Sequence, residues 1–305
     1  MPTVPAVPIV KDQNTPHAIP FFSVIVAVYN DWLALAGCLK SLARQTDGPS
    51  FEMVVVDDGS REQAPETVAE WNRIFPVTVV RQEHAGISIA RNKGIQTSTG
   101  SVLVFVDADC RMQQGCLAAL KQKISGAPTE NCFQLRLIGN PADLVGRAEQ
   151  LRLIALQRHL LQPNGRIRYL NTAGFAIRRS KVSEDGNLFN PIAVRAEDTL
   201  LLATLVQLGE LPIFVPEAVV QHHISLSLAG CLRKDVRSAY FERRAFDIIE
   251  ARGVAIQMTN QDRWAIMSSM WRATDEASSG KLPWFVVTGR QALRLLVSTA
   301  YRILH

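Results

Sequence analysis

Four short apolar runs, each ending in polar residues, constrain this chain more than any other feature. They are FSVIVAVYN (22–30), FEMVVVDDGS (51–60), VTVVRQE (77–83) and SVLVFVDAD (101–109). Their length and β-branched content predict strands, buried ones at 22–30, 51–60 and 101–109. Helical patterns separate them. Residues 31–46 carry Leu35, Cys38, Leu39 and Leu42 at helical spacing behind Asp31, a candidate N-cap. Residues 62–75 and 87–98 read as further helices, the second preceded by Gly86. This alternation predicts an α/β fold, a mostly parallel sheet with crossover helices on its faces. Ligands of such sheets bind beyond the carboxyl ends of the strands. Asn30, Asp57, Asp58, Asp107 and Asp109 all fall at predicted carboxyl ends.

From about residue 130 the alternation weakens. Residues 143–161 read as an amphipathic helix and 170–180 as strand or loop. A turn is expected at Gly186-Asn187. A helix with an acidic start is expected over 196–209, stopped by Gly209. Residues 211–223 read as short strands interrupted by Pro216, and 226–252 and 284–304 as helices. The expected organisation is a loosely held proline-containing tail over 1–20, an α/β domain over 21–225 and a helical, basic region over 226–305.

Composition narrows the function. Hydrophobic residues make up 47% and charged residues 20%, as in globular proteins. The N-terminal stretch lacks a signal-peptide pattern, and no uncharged apolar run is long enough to span a bilayer. Five cysteines without a CxxC pair read as reduced cytosolic thiols. The net charge of +5 lies wholly in residues 225–305, which hold 12 Lys/Arg against 7 Asp/Glu. No nucleic-acid-binding module accompanies it, so nucleic acid is not an expected partner. No GxGxxG follows the first strand, which argues against a Rossmann dinucleotide site, and no P-loop is present.

Asp107 and Asp109, at i and i+2 of an extended segment, face one side. Two carboxylates there repel unless neutralised, and a hard divalent cation, Mn²⁺ or Mg²⁺, does this. Asp57-Asp58-Gly59-Ser60 places carboxylates where ring N–H groups or ribose hydroxyls could donate to them. Arg91 follows His84-Ala85-Gly86 and could neutralise these acids or contact diphosphate. Glu197-Asp198 suits a helix start, or a general base if it reaches an acceptor hydroxyl. Of His222 and His223, strand alternation lets only one face the cleft, where imidazole can complete a Mn²⁺ site.

The ordered set SVIVAVYN, VVVDDGS, HAGISIARNKGI, VLVFVDAD, NTAGFAIRRS, AEDTLLL and PEAVVQHH resembles family 2 glycosyltransferases over about residues 21–225. The resemblance implies a GT-A type catalytic domain over 21–225, with a nucleotide-binding half (21–110) and an acceptor half (111–225), and an inverting transfer from a nucleotide-sugar donor, with uridine the favoured base. It implies that Val28, Asn30, Asp57, Asp58, Arg91 and Asp107 bind the nucleotide sugar, with Asp58 reading the base. Asp109, Asp107 and His222 would hold the metal. Asp198 would be the catalytic base with Glu197 beside it. Asn171, Arg178, Arg179 and His223 would lie on the acceptor side. Two departures stand out: Ala27 where the family usually has proline, and an almost wholly apolar LLLATLVQL after Glu197-Asp198.

The acceptor is expected to be a glycan, a lipid-linked sugar or another hydroxyl compound. The expected location is cytoplasmic. In the C-terminal region, Arg290, Arg294 and Arg302 recur within a sector of about 120°. Packing of this helix on the catalytic domain is the first reading. A peripheral contact with the inner membrane face is the second. A sugar nucleotidyltransferase would need a Gly-rich basic loop that VYNDW lacks. A non-catalytic nucleotide-sugar-binding scaffold is the remaining alternative.

Overall fold

The structure, a computed structural model, describes residues 19–45, 48–193, 195–223, 227–276 and 280–304. The tail expected over 1–20 lies outside these residues, except for its last two. The four apolar runs form β1 (Phe22–Val28), β2 (Phe51–Asp57), β3 (Val77–Arg81) and β4 (Val102–Phe105). These are parallel, in the spatial order β3-β2-β1-β4. The strands between them are joined by α1 (Trp32–Leu42), α2 (Glu66–Glu70) and α3 (Ile87–Thr97). Asp31 caps α1, its Oδ1 accepting from the Ala34 amide at 3.3 Å. The helix expected over 62–75 shrinks to α2 and a 3-10 turn at Trp71–Arg73, because Pro65 sets its start.

Beyond β4 the sheet becomes mixed. Its further strands are β5 (Cys110–Met112), β6 (Cys132–Gly139), β7 (Phe175–Arg178) and β8 (Ile213–His222), giving the order β3-β2-β1-β4-β7-β6-β8-β5. β7 runs antiparallel to both β4 and β6, and β8 is parallel to β6. The expected interruption at Pro216 is a bulge within one strand. Leu135 pairs with Val215 and Arg136 with Val219, so residues 216–218 loop out where proline can donate no ladder bond.

Helices cover both faces. On one, Leu35, Leu39 and Leu42 of α1 and Leu117 and Leu120 of α4 (Cys116–Gly126) pack on Val24, Val26 and Val104. On the other, Ile95 of α3 and Leu201, Leu202 and Leu205 of α6 (Glu197–Gln207) meet Ile25, Phe105 and Phe175.

The C-terminal helices are α7 (Leu228–Ala251), α8 (Asn260–Glu276) and α9 (Leu282–Leu304). Ala245 and Ile249 of α7 pack on Leu200 and Ala203 of α6. The apolar middle of α6 is thereby explained, since it is sandwiched between the sheet and α7. α8 and α9 pack on α5 (Leu144–Leu160) through Ile266, Met270 and Val287. Arg290 and Arg294 turn inward to Asp235, at 2.6 and 3.2 Å, and Arg294 also reaches Glu242. Among the described residues, no helix is long and apolar enough to cross a membrane.

Candidate active site

The carboxyl ends of β1, β2 and β4 lie along one edge of the sheet, as parallel strands require. The Val28 side chain is buried, and its carbonyl accepts from the Asp58 amide at 2.9 Å. Asn30 adopts a left-handed conformation (φ 56°). Its amide donates to Ser60 Oγ at 2.9 Å, and its Oδ1 accepts from the Arg61 amide at 2.8 Å. The two loops after β1 and β2 are thus sewn together.

Asp57 and Asp58 are both buried. Asp57 accepts from the Ser60 amide at 2.8 Å and from Arg81 Nη1 at 2.7 Å. Asp58 Oδ1 accepts from Gln82 Nε2 and the Ala85 amide at 2.8 and 2.9 Å, and its Oδ2 accepts from the Gly86 amide at 2.9 Å. His84 Nδ1 stands 2.9 Å from the same Oδ2. Both Asp58 oxygens are therefore engaged in fixing the loop that launches α3. Gly59 makes this approach feasible, since a Cβ there would sit 2.7 Å from the His84 nitrogen. The His84 ring stacks on Tyr29, with centroids 4.1 Å apart.

Arg91 is the hub. It projects from α3 and is 2% exposed. Its Nη2 donates to Asp107 Oδ1 and its Nη1 to Glu197 Oε1, each at 2.7 Å. Asp198 Oδ1 lies 4.0 Å from Nη1. The Phe189 ring lies beneath the guanidinium at 5.4 Å. Three carboxylates facing one cation leave an excess of negative charge. Burial and the adjacent Glu197 carboxylate push Asp198 up to about 8, against the opposing pull of Arg91. Thr172 Oγ1 donates to Asp198 Oδ1 at 2.6 Å. Ala196, just before this pair, is held at φ 65°, a strained conformation for alanine.

On the far side of Asp107, the antiparallel pairing of β5 with β8 sets Cys110 opposite His222. His222 Nε2 lies 3.2 Å from Asp109 Oδ2. Burial disfavours charge on both groups, but their mutual attraction prevails: Asp109 is held below the usual carboxylate range and His222 above the usual imidazole range. His223 turns the other way. Its Nδ1 is 3.2 Å from Asn140 Nδ2 and its Nε2 is 3.2 Å from Gln221 Oε1.

The donor set fits a divalent metal. Atoms of Asp109, Cys110 and His222 lie within 4.8 Å of one another. Burial and the nearby Asp109 and Asp107 charges push the Cys110 thiol well above its usual range, and thiolate is a softer ligand than Mn²⁺ or Mg²⁺ prefers. One carboxylate and one imidazole remain, a pair that suits Mn²⁺ with oxygen ligands from a diphosphate. Asp107 stands outside this cluster, engaged by Arg91.

Two expected acceptor-side residues are not brought to this edge. Because β7 runs opposite to β4, Arg178 pairs with Val102 at the start of β4, while Phe175 pairs with Phe105 at its end. Arg178 donates to the Glu130 and Ile124 carbonyls at 2.8 and 3.1 Å, closing the end of α4. Arg179 donates to the Gly100 carbonyl at 2.6 Å and to Ser98 Oγ at 2.8 Å, just past the end of α3. Asn171 stays at the site edge, where its Oδ1 caps the turn that carries Thr172. Thr172, Tyr29 and Phe189 were not singled out from the sequence. Thr172 and Tyr29 lie inside the motifs NTAGF and VAVYN, whereas nothing local marks Phe189.

An α/β sheet that gathers carboxylates, an arginine and an imidazole beyond its parallel strand ends is the framework of a GT-A type transferase. The sequence profile of Glycosyl transferase family 2 matches residues 23–186, more than half of the chain, and the chain belongs to that family. Glycosyltransferase AglE of Haloferax volcanii is 35% identical over 111 residues, which cover 35% of this chain and 36% of AglE. Matches to this and two further curated relatives span 15% to 36% of those proteins' lengths. The fold is also that of two solved structures. A mannosyltransferase from Pyrobaculum calidifontis, in complex with GDP-Man and Mn²⁺, has a TM-score of 0.58 at 21% identity, covering 97% of this chain and 86% of that one. TarS 1–349 of S. aureus, in complex with UDP, has a TM-score of 0.55 at 20% identity, covering 93% and 92%.

Proposed function

We propose that this chain transfers a sugar from a nucleotide-sugar donor to an acceptor hydroxyl in a single displacement that inverts the anomeric carbon. The observation that carries this reading is the Arg91 bridge. One buried guanidinium ties Asp107, on the donor half, to Glu197, beside the base candidate Asp198. Charge that develops between donor and acceptor therefore falls within a fixed set of groups.

The donor lies over residues 21–110, against the loops after β1 and β2 and the edge at Asp107. The acceptor approaches over 111–225 beside Asn171 and Thr172. The Asp198 carboxylate takes the acceptor's hydroxyl proton. The acceptor oxygen bonds to the anomeric carbon from the opposite face, and the nucleoside diphosphate leaves with the electrons of the bond that breaks. Asp109 and His222 would hold a divalent metal, Mn²⁺ by their chemistry, and such an ion would offset charge on the leaving diphosphate. The bound UDP, GDP-Man and Mn²⁺ of the structural neighbours support a nucleotide-sugar and metal here. Uridine is the base favoured by the motif resemblance. A cytoplasmic setting agrees with five cysteines that are all buried and include no CxxC pair.

Substitution of the base tests this reading. Asp198→Asn keeps the shape of the side chain but cannot accept the proton. Donor binding should stay within about twofold while transfer falls by about 10²-fold or more. Undiminished turnover would remove Asp198 from the reaction.

A further inference from the structure

We propose that α8 and α9 together form a docking surface for an anionic lipid bilayer. The arginines that suggest such a contact in the sequence do not make it, since Arg290 and Arg294 are spent on Asp235 and Glu242 inside the fold. A different set of residues faces outward. Leu282, Phe285, Gly289, Ala292, Leu296 and Ile303 of α9 are exposed and fall within a sector of about 80°. Leu296 is 67% exposed and Ile303 79%. None of the six is charged, and α9 is about 34 Å long.

Scattered exposed apolar residues are ordinary, but a continuous stripe is not. This stripe continues onto α8. Trp264 and Trp271 lie about 20° apart on that helix. Trp264 is 68% exposed. The Trp271 ring meets Phe285 edge-on, with centroids 6.4 Å apart, so the two faces join. Lys281 Nζ sits 4.0 Å over the Trp271 ring.

Charge selects the occupant. Arg263, Arg272 and Arg302 are exposed on the helices that carry the stripe. Arg302 also lies close enough to Glu250 of α7 to attract it, while Arg263 and Arg272 form no ion pair among the described residues. A second copy docked by two-fold symmetry would set one cation-bearing face against another of the same sign. Anionic headgroups would neutralise them, while the tryptophans take the interfacial level and the aliphatic side chains the acyl boundary. The helix lies in the plane of the interface.

The test uses the full chain and sedimentation with vesicles of phosphatidylglycerol and phosphatidylcholine, or phosphatidylcholine alone. The protein should sediment with the anionic vesicles at low salt, with Trp emission shifted to the blue. Leu296→Gln with Ile303→Gln should weaken binding by about tenfold or more. Arg272→Gln with Arg302→Gln should reduce the preference for anionic lipid and its salt sensitivity. Because all four side chains are partly or fully solvent-facing, both variants should keep the parent's circular dichroism and melting temperature. Absence of binding to anionic vesicles at low salt would overturn the proposal. So would binding that the Leu296/Ile303 pair leaves unchanged, or a dimer that this pair dissolves while vesicles bind nothing. None of these readouts depends on sugar transfer, so the two proposals fail separately.

Discussion

Arg91 is one cation among three carboxylates, and that imbalance governs the charge state of the site. Arg91→Ala would leave Asp107 and Glu197 without their partner in a buried setting. Loss of one member of such a pair costs about 3–5 kcal/mol, which equilibrium urea unfolding would register. The same imbalance fixes a pH dependence. Asp198 is held up to about 8 by burial and by Glu197, far above an unfolded aspartate. The stability contributed by its protonated form is complete below the ordinary carboxylate range and is lost as pH rises through about 8. Catalysis has the opposite sign, because only the ionised form accepts a proton. The transfer rate should climb with pH toward about 8, and a profile flat from pH 6 to 9 would contradict the assignment. At this scale the sequence marked Asp57, Asp58, Asp107 and Asp109 well, since each follows an apolar run. It could not show that both Asp58 oxygens are taken by the loop over 82–86. Two of those partners are backbone amides, which carry no residue signature.

Elements are positioned by close contacts that patterning does not reveal. In α3, a Cβ on Gly94 would lie 2.4 Å from Ile25 Cγ2 of β1. Alanine favours a helix over glycine by about 1 kcal/mol, yet overpacking costs about 1–3 kcal/mol. Gly94→Ala should therefore lower the melting temperature, and an unchanged or raised value would show that α3 does not seat so tightly on β1. The strands β1 to β4 and the helices α1, α3, α5, α6, α7 and α9 were legible because each combines an apolar period with a recognisable start or stop. α4 begins at Gly115 without a side-chain cap, and β5 is only three residues long, so neither announces itself. The direction of β7 was also illegible. A strand's residues do not encode whether it runs parallel or antiparallel, and this reversal sends Arg178 and Arg179 to the opposite edge from the site.

Across the whole molecule, the parallel half of the sheet presents the acids, while the mixed half and its helices present the Thr172–Asp198 pair and His222. Neither half holds a complete site. The C-terminal helices are continuous with this arrangement, because α7 buries the outer face of α6 and α9 packs on α5. The central claim is that this edge binds a nucleoside diphosphate through a metal at Asp109 and His222. Calorimetric titration of UDP, and separately GDP, in Mn²⁺ and then in EDTA tests it most directly, with Asp109→Ala as the companion variant. The account predicts that one nucleotide binds in Mn²⁺, that EDTA abolishes or sharply weakens this binding, and that Asp109→Ala does the same while remaining folded. Folded protein that binds neither nucleotide in Mn²⁺, or binds one equally well in EDTA, would contradict it.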